Sequence, residues 1–141
     1  MKKRTRNILI MVLSVVLIIG SYLFVRRVRP LPEVDGELVW INVMDNRTDP
    51  SVELELTEGE ADILSVKLKA LKMKWSGGRV YPFSIENVDF FVDYIAGGEP
   101  FHLVLGDPCF AYESADQAKY LIVQDDAYRR LMEELRNLAE P

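Results

Sequence analysis

The feature that most constrains this chain is an apolar run from Ile8 to Val25, 18 consecutive residues without a charged side chain. At about 1.5 Å per residue, a helix of this length is roughly 27 Å long and matches the hydrocarbon thickness of a bilayer. Arg26 and Arg27 follow the run, and their aliphatic stems allow the guanidinium groups to reach the headgroups. A buried core helix would need an equally apolar surround, which the rest of the chain is not expected to supply. The run therefore predicts a transmembrane helix.

A cleaved signal peptide is the main alternative interpretation of this segment. Such a peptide has an apolar region of about 7–15 residues that ends in small residues at the cleavage site. Here the run is longer, and the small pair Gly20-Ser21 is followed by bulky residues and arginines. Lipoprotein processing needs a nearby cysteine, whereas the only one is Cys109. The pattern favours a retained anchor, with its basic flank, over residues 1–29.

The flanking charges predict the direction of the anchor. The amino-terminal flank carries four basic side chains and the terminal amine, against three basic residues on the other flank, Arg26, Arg27 and Arg29. Basic flanks prefer the cytoplasm. We therefore expect a single-pass protein of the cell membrane, with its amino terminus in the cytoplasm and its carboxy-terminal domain outside.

Charge is divided unevenly between the anchor and the rest of the chain. All 22 acidic residues lie from Glu33 onward, together with ten of the 17 basic residues, which gives this part a net charge of −12. Nucleic-acid binding needs a positive surface, so the composition argues against it. The same charge argues against a domain that lies flat on an anionic membrane leaflet.

The remainder of the chain is long enough for one folded domain. Residues 30–36 contain Pro30-Leu31-Pro32 and are predicted to form a stiff juxtamembrane spacer, because proline fixes φ and restricts the preceding residue. Residues 37–141 form the predicted domain. One cysteine excludes an internal disulfide, so Cys109 is expected in the core, with a reactive thiol as the alternative.

Alternating apolar residues and turn signals predict the strands of this domain. The predicted strands cover residues 37–44, 51–56, 87–95, 100–105, 109–113 and 119–124, with a weaker one at 79–83. Two helices are predicted as well. Thr57 and Glu60 have the spacing of a capping box that opens the first, and Asp125 or Asp126 caps the second. The order predicts an α+β domain with a mainly antiparallel sheet of about five or six strands and two helices packed on one face.

The residues with chemical potential are few. Cys109 and His102 flank the turn at residues 106–108, and a plain hairpin would place His102 opposite Ala111 and Cys109 opposite Val104. Activation of a thiol requires hydrogen-bond reach to a base, which this register does not give. Zinc spacing is absent, and the Asp45-Asn46-Asp49 loop lacks the further ligands of a calcium loop. We therefore assign no catalytic, cofactor-binding or metal-binding residue and expect no cofactor.

Four stretches of the chain carry a resemblance to known proteins. They are the proline-rich exit from the anchor, "ELVWINVMD", "TEGEADILSVKLKALK" and "YLIVQDDAYRRLMEEL". Over Leu31 to Leu138 the pattern resembles an uncharacterised family of small membrane-anchored or secreted domains from Gram-positive bacteria. The resemblance implies an extracytoplasmic α+β domain and brings no functional residue with it.

Three hypotheses for function follow from these patterns. The first is a membrane-tethered, non-catalytic domain that binds a protein or a cell-envelope component outside the cytoplasm. The second is a small membrane-tethered hydrolase or redox protein that uses Cys109 and His102. The third is a regulatory module on the cytoplasmic side. The absence of a recognisable site favours the first.

Overall fold

The computed structural model describes residues 2–36, 40–76, 85–107, 109–113 and 119–140. Three helices and eight strands occur in this part of the chain, together with a short 3-10 turn at Ile85–Asn87. In chain order they are α1 (Lys3–Val25), β1 (Arg29–Pro30), β2 (Ile41–Asp45), β3 (Val52–Leu54), α2 (Glu58–Lys69), β4 (Lys72–Trp75), β5 (Val88–Ala96), β6 (Glu99–Gly106), β7 (Phe110–Glu113), β8 (Lys119–Ile122) and α3 (Asp126–Ala139).

The eight strands form one sheet in the order β1-β4-β8-β7-β6-β5-β2-β3, and every neighbouring pair is antiparallel. The predicted α+β class with a mainly antiparallel sheet is therefore confirmed. The longest pairing joins β5 and β6, which form a hairpin at the centre of the sheet. Central position and length make this hairpin the scaffold on which the other strands are placed.

One face of the sheet, the inner face, holds the main hydrophobic core. Alternate residues of β5, such as Phe90, Val92 and Tyr94, pack there with leucines of both α2 and α3. The opposite face, the outer face, carries a smaller cluster around Val104 and Phe110. Because side chains alternate along a strand, each side chain of β6 lies on either the inner or the outer face. Only side chains on the same face can contact each other.

Local capping explains where α2 and α3 begin. The Thr57 hydroxyl accepts a hydrogen bond from the Glu60 backbone N–H, and the Glu60 carboxylate accepts one from the Thr57 N–H, which completes the predicted capping box. At α3, the Asp125 carboxylate accepts a hydrogen bond from the Tyr128 N–H. Each of these helices therefore begins after an N-cap residue whose side chain accepts a hydrogen bond from a backbone N–H of the first turn.

The predicted number of strands is wrong. The sequence predicted an apolar amino-terminal helix followed by five or six strands and two helices, whereas the described residues form eight strands and three helices, of which α1 is the apolar amino-terminal helix. The missed strands are β1, which spans the boundary between the predicted anchor and the predicted spacer, and β4, where no strand was predicted. Pro30 is tolerated in β1 because this strand lies at the sheet edge. The weaker strand predicted at 79–83 lies outside the described residues.

Residues 31–36, the part of the predicted spacer that follows β1, lie against the folded domain. The Leu31 side chain is buried, and its backbone N–H donates a hydrogen bond to the Leu71 carbonyl at 3.2 Å. The Tyr94 hydroxyl donates a hydrogen bond to the Pro32 carbonyl at 2.9 Å. These contacts extend the folded unit upstream of residue 37 as far as β1.

The same segment closes the β5–β6 turn. The Asp35 carboxylate accepts hydrogen bonds from the backbone N–H groups of Gly97 and Gly98, at 2.7 and 3.0 Å. Its own N–H donates to the Ile95 carbonyl. The chain that leaves α1 is thus bonded to β4 through the edge strand β1 and to the central hairpin through Asp35.

Helix α1 has no buried residue in the part of the chain that the structure describes. None of its 23 residues is buried, and its most apolar window has a mean hydropathy of 2.9. It is long and apolar enough to cross a bilayer. Only Arg26, Arg27 and Val28 separate it from β1, so the sheet edge begins within about 14 Å of the helix end.

Candidate functional site

The predicted core position of Cys109 is confirmed. The residue is 4% exposed and lies in the main core on the inner face, where its thiol hydrogen-bonds the Tyr128 side chain of α3. Burial raises the pKa of the Cys109 thiol to about 11, although the hydrogen bond with Tyr128 opposes the shift. A thiol with this pKa is protonated near neutral pH and is a poor nucleophile.

His102 lies on the outer face instead. Its Nδ1 is 2.7 Å from a carboxylate oxygen of Asp93, and its ring stacks on Tyr112 with a centroid distance of 4.9 Å. The sheet therefore separates His102 from Cys109. The hydrolase or redox hypothesis requires a general base within reach of the nucleophile, and this geometry does not bring these two residues together.

The register of β6 and β7 explains the separation. His102 pairs with Tyr112 and Val104 with Phe110, whereas the sequence predicted Ala111 opposite His102. The connection between the strands is one residue longer than predicted. A shift of one residue in register moves each side chain of a strand to the other face of the sheet. The observed register therefore places Cys109 and His102 on opposite faces.

The Asp45 loop, considered as a weak calcium ligand set, is a structural ion pair. The Arg47 guanidinium donates two hydrogen bonds to the Asp45 carboxylate, both at 3.0 Å, and Asp45 is 5% exposed. Arg47 also pairs with Glu140 at 3.1 Å and lies over the Phe90 ring. The carboxylate that would bind a cation is therefore already neutralised.

A cleft of about 520 Å³ lies between α3 and the end of the β5–β6 hairpin that is farther from its turn. We call it the α3 cleft. Its α3 wall includes Tyr128, Met132, Glu133 and Arg136, and its sheet wall includes Asp89 and Asp107. Its volume lies within the usual range of about 300–1,000 Å³ for ligand sites, although it is open to solvent.

A bulge in β5 shapes the sheet wall of the α3 cleft. The register with β6 shifts between Val88 and Phe90, so Asp89 has no paired residue there. Instead the Asp89 carboxylate lies 3.5 Å from the guanidinium of Arg136 on α3. Bulges re-aim side chains in this way, and here the bulge turns Asp89 toward the helix.

Gly106 allows the close backbone approach at the bulge. Its φ is +157°, and a Cβ atom at this position would lie 2.4 Å from the Asn87 carbonyl oxygen and 2.8 Å from the Val88 Cα. The Asp107 N–H donates a hydrogen bond to the same Asn87 carbonyl at 3.0 Å. The floor of the α3 cleft therefore depends on a residue without a side chain.

The charges in the α3 cleft are partly compensated. Arg136 pairs with Asp89, and Arg129, at the same wall, pairs with Asp126. Asp107 and Glu133 have no ion pair among the residues that the structure describes. Burial raises the pKa of the Tyr128 phenol, so this group stays protonated at neutral pH. This wall can therefore bind through hydrogen bonds and ion pairs.

The α3 cleft and α1 lie toward opposite ends of the strands. Arg29 pairs with Met73 in an antiparallel register, so the chain arrives from α1 alongside the Trp75 end of β4. Across the sheet, Trp75 pairs with Tyr120 of β8, Tyr120 with Ala111 of β7, and Ala111 with Leu103 of β6. Trp75 and Leu103 are therefore at the same height along the strands. Gly106 lies three residues farther from α1, about 10 Å at 3.4 Å per residue.

Comparison of the chain with protein-family models, with curated proteins and with solved structures finds no match. The description of the site therefore rests on the geometry of this chain.

Sequence reasoning missed the α3 cleft because its residues come from separate segments. Asp89 and Asp93 lie four residues apart in one predicted strand, but the bulge turns Asp89 toward Arg136 while Asp93 contacts His102 on the outer face. The available sequence signal was Gly106, the glycine next to Asp107 at the end of a strand. A glycine there is typical of a turn as well as of a bulge.

Proposed function

We propose that this protein is a single-pass membrane-anchored, non-catalytic domain that binds a protein or cell-envelope component outside the cytoplasm. In this proposal α1 is the anchor and the α3 cleft is the binding site. The observation that carries the proposal is the placement of a ligand-sized cleft toward the end of the sheet opposite to the attachment of α1. A tethered domain with this arrangement holds its cleft away from the bilayer.

Two properties of α1 support its role as an anchor. Its 18 uncharged residues are all exposed, so the domain does not bury them. Exposure of such a large apolar surface to water is unfavourable, at about 25 cal/mol for each Å², and insertion into a bilayer removes this cost. Arg26 and Arg27 lie over the rings of Tyr22 and Phe24 at the end of α1, a combination typical of a membrane interface.

The orientation rests on the flanking charges. The flank before the apolar run carries four basic side chains, and the flank after it carries three. The more basic flank is expected in the cytoplasm, which places the folded domain on the other side. A regulatory module on the cytoplasmic side would need the reverse orientation.

A binding role is supported by the state of the chemical groups. The Cys109 thiol is buried and has a raised pKa, and His102 faces the other side of the sheet. By contrast, the α3 cleft presents carboxylate, guanidinium and phenol groups around Met132. Convergent polar groups around an apolar surface are typical of binding sites.

Site-specific photo-crosslinking in intact membranes tests the proposal. A photoreactive residue replaces Glu133 in the α3 cleft, and a matched control replaces Asp62, which is also an exposed acid on a helix. We expect a discrete adduct from position 133 and none from position 62. Identical adducts from both positions, or none from position 133, would contradict the proposal.

A further inference from the structure

The sheet is electrically polarised from one edge to the other. The adjacent strands β1, β4 and β8 contain four basic residues, Arg29, Lys72, Lys74 and Lys119, and no acidic residue. The other five strands contain six acidic residues and no lysine or arginine. We call the first group the basic edge. Because paired residues share a face, Arg29, opposite Met73, lies on the inner face, whereas Lys74 and Lys119 lie on the outer face. The net charge of −12 outside the anchor therefore hides positive charge on both faces of this edge.

The basic edge is the part of the sheet that is attached to α1. Arg26 and Arg27 lie in the three-residue link between α1 and β1, so they add two positive charges beside the basic edge. The link spans at most about 14 Å, counting its bonds to both neighbours. Pairing of β1 with β4 and burial of Leu31 hold the edge in this position.

The charges of the basic edge are available for binding. Within the described part of the chain, no carboxylate lies within 4.0 Å of Arg29, Lys74 or Lys119. Arg29 lies over the Tyr120 ring, and the Lys119 amine lies 5.0 Å from the centroid of the Phe110 ring; such packing leaves both positive charges without a counterion. Lys72 is partly compensated, since its amine lies 4.0 Å from Asp125, but its side chain is 58% exposed.

We propose that the basic edge binds the anionic phospholipid headgroups of the membrane that α1 crosses. This inference rests on the proposed function, because it requires α1 to be in a bilayer. Basic residues close to an anionic membrane surface each contribute about 1 kcal/mol of attraction, which corresponds to about fivefold in affinity.

The acidic strands do not cancel this attraction. Neighbouring strands lie about 4.8 Å apart, so β7, the nearest acidic strand, is about 5 Å from β8 and about 14 Å from β1, and β3 is about 34 Å from β1. The Debye length is about 8 Å at physiological ionic strength. With β1 on the headgroups, the acidic strands lie farther from the lipid than the Debye length, so their repulsion of the lipid is screened.

Energy transfer in reconstituted vesicles tests the inference. The full-length protein is placed in phosphatidylcholine vesicles that contain a dansyl-labelled lipid, either phosphatidylglycerol or phosphatidylcholine. Transfer from the tryptophans, one of which is Trp75 in β4, reports which labelled lipid is enriched around the chain. We expect enrichment of the anionic lipid, and we expect salt to weaken it.

Matched charge variants separate the basic edge from net charge. Lys74→Glu/Lys119→Glu replaces two positive charges of the basic edge by two negative charges, and Arg129→Glu/Arg130→Glu makes the same change in net charge on α3. We expect the first pair to lower the preference for phosphatidylglycerol by at least about fivefold for each lysine and the second pair to change it little. Lys74→Gln/Lys119→Gln gives the same test with a smaller risk to folding.

Two results would overturn the inference. One is a wild-type protein without preference for phosphatidylglycerol, and the other is an equal loss in both charge-reversal pairs. The failure of the proposed anchor has a different signature, since the protein would then be extracted from the vesicles by alkaline carbonate. A protein that stays in the vesicles but ignores lipid charge refutes only the role of the basic edge.

Discussion

Replacement of Gly106 by alanine is the most informative perturbation of the α3 cleft. The new Cβ would lie 2.4 Å from the Asn87 carbonyl oxygen, 2.8 Å from the Val88 Cα and 2.9 Å from the Asp89 nitrogen. All three contacts are with backbone atoms, so no side-chain rotation relieves them. The bulge must move away from Gly106, and Asp89 moves with it.

The expected loss of stability can be worked out from two contributions. A non-glycine residue in a sparsely populated backbone region costs about 1–3 kcal/mol. Movement of the Asn87 carbonyl also weakens its hydrogen bond with the Asp107 N–H, which contributes about 1 kcal/mol. Together these give about 2–4 kcal/mol, or roughly 10–25 °C in Tm for a domain of this size.

Gly97→Ala is the matched control for this prediction. Gly97 has a φ of +60°, but a Cβ atom there would meet no atom within 4 Å. Gly97→Ala is therefore expected to lower the free energy of unfolding by about 1–2 kcal/mol, because of the backbone conformation alone and without a steric clash. Urea denaturation of the full-length protein in detergent, followed by tryptophan fluorescence, measures both variants. An equal loss in the two variants would refute the account of the bulge.

Three other perturbations test the core, the ion pair and the thiol. Leu135→Ala should destabilise the domain by about 2–5 kcal/mol in the same assay, because Leu135 is fully buried between α3 and the sheet. A loss of stability smaller than that of Leu138→Ala, at a half-buried position, would contradict this packing. Hydrogen bonds from Arg47 lower the pKa of Asp45 below its ordinary value of 3.8, so the ionised carboxylate stabilises the fold above that pH and the contribution is lost as pH falls through the lowered pKa. Asp45→Asn should therefore cost about 3 kcal/mol at neutral pH, and its difference from the wild type should shrink below pH 3.8 in urea titrations; a difference that does not vary with pH would exclude this role of Asp45. Alkylation of Cys109 should be slow in the folded protein and fast in denaturant, as mass spectrometry would show, and equal rates would contradict its burial.

Elements defined by local chemistry were predictable from the sequence. The start of α2 follows from Thr57 and Glu60, which lie three residues apart and bond each other. The β5–β6 hairpin follows from alternating apolar residues around Gly97-Gly98. In both cases the interacting groups are neighbours in the chain, so the sequence pattern contains the whole interaction.

Elements defined by distant pairing were not predictable in the same way. The strand β4 is a four-residue segment that directly follows α2, and only its pairing with β1 and β8 identifies it. The α3 cleft likewise joins Asp89 to Arg136, which are far apart in sequence. Patterns within one segment cannot indicate which other segment will lie beside it.

The basic edge shows the same limit for charge. Composition predicted that anionic membranes would repel the acidic domain as a whole. The strand order brings β1, β4 and β8 together from three distant parts of the chain, and this order creates a positive surface. Net charge describes repulsion at long range, whereas the strand order decides the charge that a surface presents at close range.

Protease treatment of intact cells tests the central claim most directly. The proposal places α1 in the membrane and the folded domain outside the cytoplasm. A protease added to intact cells should then degrade the domain without lysis, and antibody detection should show its loss while a cytoplasmic marker protein persists. Protection of the domain in intact cells, followed by degradation once the cells are lysed, would contradict the claim and place the domain in the cytoplasm.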